Sequence, residues 1–435
     1  MMFTKTLTLY LLTLSTATAL ASPEVPGAKQ TQPIALVGGT VHTVSGETIE
    51  NATILFEQGK IVAVGKQVSL RQGVQIIQIP GKHVFPGMLD AYTNMGLVEI
   101  NAVRASDDEQ EVGNFNPNVR AEVAVNPDSE IIPTTRSNGV LLCLSAPSGG
   151  LVSGRSAVLQ LDGWTYEDLT IHAGAGLHVN WPSMALVNDW WVSASAKDQI
   201  ASREKALLDL TDKFDMARRY DAARSQNPDT LIDVKWESMR DILAGNVPLI
   251  VTANNANQIQ AAVAFAVRQK VKLIINGGYD AIYCADLLKK HAVPVILGGV
   301  YRTPRRTDDF YDLPYEMPAI LNRLGVQFCI SSDGRFGASM SRNLPFHAGT
   351  AAAYGLPVDE AVKAVTLYPA QILGVDKQVG SLEVGKDATL VITDGHLLEI
   401  ATQVEQTYVQ GRRVDMSDRH KRLWNKYQQR YQPAK

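Results

Sequence analysis

"PLIVTANNANQIQAAVAFAVRQKVKLIINGGYDAIYCADLLKKHAVPVILGG", Pro248 to Gly299, decides the fold class. Three short apolar runs, "PLIVTAN", "KLIING" and "VPVILGG", alternate with "NQIQAAVAFAVRQK" and "YDAIYCADLLKKHA". In the latter two, apolar residues recur three and four apart, which gives a helix one apolar face. The short runs end in Asn or Gly and read as buried strands. Up to "VQFCISSD" (Val326–Asp333), strand starts recur roughly every twenty to thirty residues, the rhythm of βα units on a parallel sheet.

Upstream, "VFPGMLDAY", "GVLLCLSA" and "SAVLQLDG" are further strand candidates, and "LTIHAGAGLHVN" is a weaker eighth. Eight strands with crossovers predict an α/β protein with a (β/α)8 TIM-like barrel, whose active site sits where the strands end. A doubly wound sheet is the rival architecture, but no Gly-x-Gly-x-x-Gly follows any strand. Residues 33–85 and 380–415 have a different character: short, β-branched runs such as "IALVGGTVHTV" and "ATLVITDG", with turns between them. Neither end is large enough to bury a core alone, so both are expected to form one small composite β-sandwich. The barrel then spans 86–379. A charged helical insertion at about 182–246 is expected to cover the barrel with a solvated face. In the tail, 416–435, Leu423, Trp424, Tyr427 and Tyr431 share one helical face, expected to pack on the domain.

With 435 residues, 45% apolar and 20% charged, the chain can bury a large core. Its net charge of −3 and scattered basic residues exclude nucleic acid as the main partner. The opening "MMFTKTLTLYLLTLSTATALAS" has Lys5, an apolar run and a small-x-small site at Ala19 and Ala21. It predicts a signal peptide over 1–21, so the chain is expected to be exported, to the periplasm of a Gram-negative cell. No later stretch is long and apolar enough to span a bilayer. Cys143 and Cys329 lie inside apolar strands and Cys284 starts a helix, so all three read as buried, unbridged thiols.

Three segments together resemble the amidohydrolase superfamily, in particular its imidazolonepropionase-related branch. "GKHVFPGMLDAYTNMGL" is similar to the family's strand 1. "ISSDGRFGASMSRNLPFHAGTAAAYGLPVDEAVKAVTLYPAQILGV" is similar to its strand 8 and the helices after it. "VGSLEVGKDATLVITDG" is similar to its return to the small sheet. The resemblance implies a barrel with a composite sandwich and ancestral hydrolysis of non-peptide C–N bonds by a metal-activated water. Zinc lowers the pKa of such a water to about 7, and imidazole or carboxylate donors hold it at about 2.0–2.2 Å.

The same resemblance implies His-x-His on strand 1, a histidine each on strands 5 and 6, and an aspartate on strand 8. Here strand 1 carries Tyr92 and Asn94, strand 5 Thr252 and Asn254, and strand 6 Asn276. Only Asp333 keeps its type. A neutral amide oxygen is a poor zinc ligand, and one carboxylate cannot hold zinc against water. No cofactor is therefore expected; zinc would need a ligand set the sequence does not reveal. Asp333 remains the candidate catalytic residue, as a general base with Arg335 or Arg342 beside it, or else a turn cap before Gly334. Tyr92, Asn94, Thr252, Asn254, Asn276, His178 and Arg342 are the candidate pocket residues. His178 and His347 are the two histidines that could share a rebuilt site, but each reads better as a structural histidine. Asp90 and Glu99 are expected to anchor loops. "SGGLVSGRSA" lacks the Gly-Lys-Ser/Thr end of a phosphate loop and reads as a barrel loop.

Two function classes follow. In the first the chain is a degenerate amidohydrolase, a pseudoenzyme. It binds a small polar ligand, or supports a partner: an active amidohydrolase subunit or further copies of itself. In the second it is a working hydrolase of a small amide, cyclic amide or dipeptide-like compound, with a rebuilt or metal-free site. The missing imidazoles favour the first.

Overall fold

The computed structural model describes residues 24–187, 190, 192–332 and 334–431, with the backbone alone at 334–336. The signal-peptide reading and Asp333 both lie outside the described residues. Two eight-stranded sheets organise the chain.

The first sheet joins the two ends of the sequence. Its strands are β1 (Ile34–His42), β2 (Thr48–Glu57), β3 (Lys60–Gly65), β4 (Gln75–Gln78), β5 (His83–Pro86), β14 (Leu390–Thr393), β15 (Val404–Val409) and β16 (Arg412–Val414). The order is β16-β15-β14-β5-β1-β2-β3, with β4 also on β1. The halves meet where β5 runs antiparallel to β14, Leu390 opposite Pro86. Alternate residues of these strands fill one buried cluster that includes Leu36, Ile54, Phe56, Leu390 and Tyr408.

The second sheet is barrel-like. It comprises β6 (Met88–Thr93), β7 (Val140–Ser145), β8 (Val152–Gln160), β9 (Thr170–Asn180), β10 (Leu249–Ala253), β11 (Leu273–Gly277), β12 (Val295–Leu297) and β13 (Phe328–Ile330), paired in that order. All eight strand candidates of the sequence are present. One departs from the all-parallel pattern: β8 runs antiparallel to both β7 and β9. Only residues 146–151 separate β7 from β8, too short a link for a parallel crossover.

The seam between β6 and β13 is closed by other groups. Leu89 N–H donates to the Val365 carbonyl and Ile330 N–H to that of Ala364. Asp90, fully buried, accepts from both the backbone N–H and the hydroxyl of Ser332.

The helix Ala256–Gln269 shows why the central rhythm folds as it does. Its N-terminus is held by Gln258 Oε1, which accepts the N–H of Asn254 and Asn255. Ile259, Ala262, Val263 and Ala266 form its buried face. It ends at Lys270, whose φ of 54° is left-handed. The insertion forms the helix Ala196–Gln226, which buries only Leu210, Phe214 and Ala217. Arg240–Asp221 and Tyr220–Glu237 contacts tie it to the following helix, Val234–Leu243.

The tail overturns one expectation. The helix Arg419–Tyr431 buries no residue, and Leu423, Trp424, Tyr427 and Tyr431 are 41%, 61%, 48% and 75% exposed. Its side-chain anchors to the body are near its first turn: Arg422 with Glu130, and His420 with Arg342. These fix the start of the helix and leave its aromatic face uncovered. Truncation after Arg422 is therefore expected to change unfolding free energy by less than about 1 kcal/mol, the range of half-exposed contacts. Urea denaturation of the truncated chain checks this; a larger loss would mean that the aromatic face is packed in solution.

Candidate functional site

The C-terminal ends of β6, β9, β10 and β11 bring Tyr92, Asn94, His178, Thr252, Asn254 and Asn276 to one end of the barrel. Two of them, Thr252 and Asn276, bond to each other, and Asn94 bonds to groups outside the candidate set. Asn94 uses both ends of its amide: Oδ1 accepts the Ala338 N–H at 2.6 Å and Nδ2 donates to Glu109 Oε2 at 2.9 Å. The backbone of Gly337, φ +64°, approaches so closely that an added Cβ would lie 2.7 Å from Asn94 Oδ1. Thr252 and Asn276 face each other in the β10–β11 register, and Asn276 Nδ2 donates to Thr252 Oγ1 at 3.2 Å. Asn254 lies against Gly277, where a Cβ would come 2.7 Å from its Oδ1. Both glycines are required by these approaches.

His178 belongs to the same end of the barrel. Its ring lies 5.8 Å from that of Tyr92. It is buried and neither ring nitrogen has a hydrogen-bond partner. Burial pulls its pKa down to about 3, so the ring is neutral at physiological pH.

One expected neighbour, Arg342, lies elsewhere, and His347 takes the structural role read for it. Arg342 Nη1 meets His420 Nδ1 at 2.6 Å, so its guanidinium faces the tail helix. His347 accepts the Val300 N–H through Nδ1 at 3.1 Å and packs on Tyr301, ring centroids 4.5 Å apart. Burial, reinforced by Arg302, lowers its pKa to about 4. It is thus a structural histidine, held apart from His178. Asp90 and Glu99 both anchor backbone: Asp90 as described, and Glu99 by accepting from Ser129 Oγ and the Glu130 N–H.

Sequence reading missed Glu109, which holds Asn94, and Ser332, Ser341 and Thr93, whose hydroxyls continue from Asp90. Glu109 lies in the acidic run "DDEQE", which carries no strand or helix signal; Ser332 was legible only as the neighbour of Asp333. Three histidines from distant parts of the sequence also converge, but on the first sheet. His42 Nε2 and His83 Nδ1 are 2.9 Å apart, and the His396 ring stands edge-on to His42 at 5.7 Å. Burial and the neighbouring rings lower the His42 pKa to about 4.

Among the described residues, the donor set at the barrel end does not fit zinc. Its positions present an amide already hydrogen-bonded at both ends, a hydroxyl paired with an amide, and a single imidazole. Among the described residues no group of three or more His, Cys, Asp or Glu side chains is arranged to hold a metal ion.

Comparison with known proteins bears on the fold and its kin. The Amidohydrolase family matches residues 315–414. An imidazolonepropionase of Brucella anthropi is 22% identical over 379 residues, 80% of this chain and 87% of that protein. Amidohydrolase tasK of Hapsidospora irregularis is 21% identical over 82% of this chain, which spans 39% of that relative's length. The crystal structure of an amidohydrolase from Thermotoga maritima superposes with a TM-score of 0.78 at 25% identity. The match covers 88% of this chain and 99% of that one. A prolidase structure, at 18% identity and a TM-score of 0.53, shares the fold.

Proposed function

We propose that this chain, an amidohydrolase-superfamily protein by sequence and fold, is an exported, non-catalytic subunit that supports a partner, an active amidohydrolase in the first instance. The observation that supports this most directly is Asn94. In place of a strand-1 histidine it clamps the 334–343 turn and Glu109, so both ends of its amide are already engaged. Thr252 and Asn276 form a separate hydrogen-bonded pair, and Asn254 lies against the Gly277 backbone. Recognition or support needs a rigid polar surface of this kind; hydrolysis needs an electrophile and an open coordination position.

The rival reading, a working hydrolase with a rebuilt or metal-free site, has one observation in its favour. His178 is a buried imidazole with both nitrogens unused beside Tyr92. A pKa of about 3 makes it a poor general base at neutral pH, because efficient bases titrate near the working pH.

The discriminating measurement is metal content per chain, by plasma mass spectrometry on protein purified without chelators or a histidine tag. We expect no stoichiometric transition metal, and no change in metal content on Asp333→Ala. A stoichiometric metal that falls on that substitution would overturn the proposal. Amide, cyclic-amide and dipeptide hydrolysis would then be assayed.

A further inference from the structure

A second site lies at the other end of the barrel. A cavity of about 760 Å³ opens beneath the N-terminal ends of β10, β11 and β12, next to Pro248, Lys272 and Pro294. Val263 and Val267 wall it on one side, from the helix Ala256–Gln269; Ile372 and Leu373 wall it on another, at the end of the helix Leu367–Ile372. The volume is that of a small-molecule site.

Its formally charged lining residues, Lys270 and Lys272, have one sign. Lys270, Lys272, His172 and His291 contribute to the wall, and no carboxylate does. Neither lysine forms an ion pair among the described residues. His172 has a buried Nδ1 without a hydrogen-bond partner. An apolar chamber with cationic groups at its edge and no competing acid selects a ligand with an apolar body and one anionic head. A neutral apolar molecule would leave the lysines unused, and a small inorganic anion would leave the chamber unfilled.

We propose that this cavity binds an amphipathic organic carboxylate, its chain against Val263, Val267 and Ile372 and its head toward Lys270 and Lys272. The site is separate from the candidate residues at the other end, so it stands whether or not the chain is catalytic.

Isothermal titration calorimetry of the full chain with octanoate, hexanoate and 1-octanol tests it. Octanoate is expected to bind once per chain. Hexanoate should bind about tenfold more weakly, the effect of losing two buried methylene groups. The double variant Lys270→Glu/Lys272→Glu should weaken octanoate at least tenfold and leave 1-octanol unchanged. Val267→Trp, a substitution at a half-exposed helix position, should fill the chamber and abolish both while retaining the wild-type melting temperature. No octanoate binding at millimolar concentration, or binding undiminished by Val267→Trp, would overturn the site. Octanoate affinity unchanged in the double variant would overturn the carboxylate preference.

Discussion

Asp90→Ala is expected to destabilise the protein by about 3–4 kcal/mol, as two buried Ser332 donors lose their acceptor at about 1–3 kcal/mol each. The carboxyl is completely buried, and Ser332 presents both its N–H and its hydroxyl to it. Ladder pairing runs from β6 round to β13 through the other strands, and Asp90 is one of the groups that close the remaining seam. It also accepts the Tyr92 N–H, two residues on, at 3.5 Å. Asp90→Asn keeps an acceptor for the N–H and offers the hydroxyl a donor, so it should lose less than half as much.

The pH dependence follows from burial, which raises the Asp90 pKa against the pull of its hydrogen bonds. The folded state therefore favours the neutral carboxyl. Its contribution is complete below the ordinary carboxylate range and is lost as pH rises through the raised value. Urea denaturation across pH should show wild type losing stability relative to Asp90→Asn as pH rises. An Asp90→Ala protein within 1 kcal/mol of wild type would show that the seam is held by the Ala364–Val365 turn alone.

How far the sequence was legible follows the range of the interactions. The eight barrel strands were readable because each is a short apolar run, and burial is encoded residue by residue. The direction of β8 depends on the brevity of 146–151, which periodicity does not weigh. The positions at the strand ends were readable from the resemblance; what occupies their hydrogen bonds was not. Asn94 finds Ala338 across 244 residues and Glu109 in a loop without regular structure. Arg342 shares a segment with Asp333 in sequence, yet the 334–343 turn carries it round to His420. The tail helix was read from its periodicity, but whether an apolar face is covered depends on what lies opposite.

Arg136→Met is expected to cost about 3–5 kcal/mol at pH 8, because it strands buried carboxylates that share its guanidinium. Arg136 is 3% exposed and sits at the end of the helix Ile131–Arg136. It pairs with Glu24 near the start of the described chain, stands 3.5 Å from Asp162, and donates to the carbonyls of Leu161 and Asp415. One side chain thus ties the N-terminal segment, the barrel and the stretch after β16. Burial raises Glu24 to about 7 in spite of Arg136, and raises Asp162 in spite of Arg136 and Arg412. The sign is therefore that of groups favoured neutral in the fold. The Glu24 contribution is complete below about 4.5 and is lost as pH rises through about 7. Removing the guanidinium should hurt most at pH 8, where Glu24 is charged, and least at pH 5, where Glu24 is protonated and needs no cation. Arg136→Lys keeps the charge but cannot reach four partners at once, and should fall between the two. Urea denaturation of the three proteins at pH 5 and pH 8 measures this. Equal losses at both pH values would mean that Arg136 acts through its carbonyl hydrogen bonds, and no loss at either would mean that the segment from Glu24 is held by its other contacts.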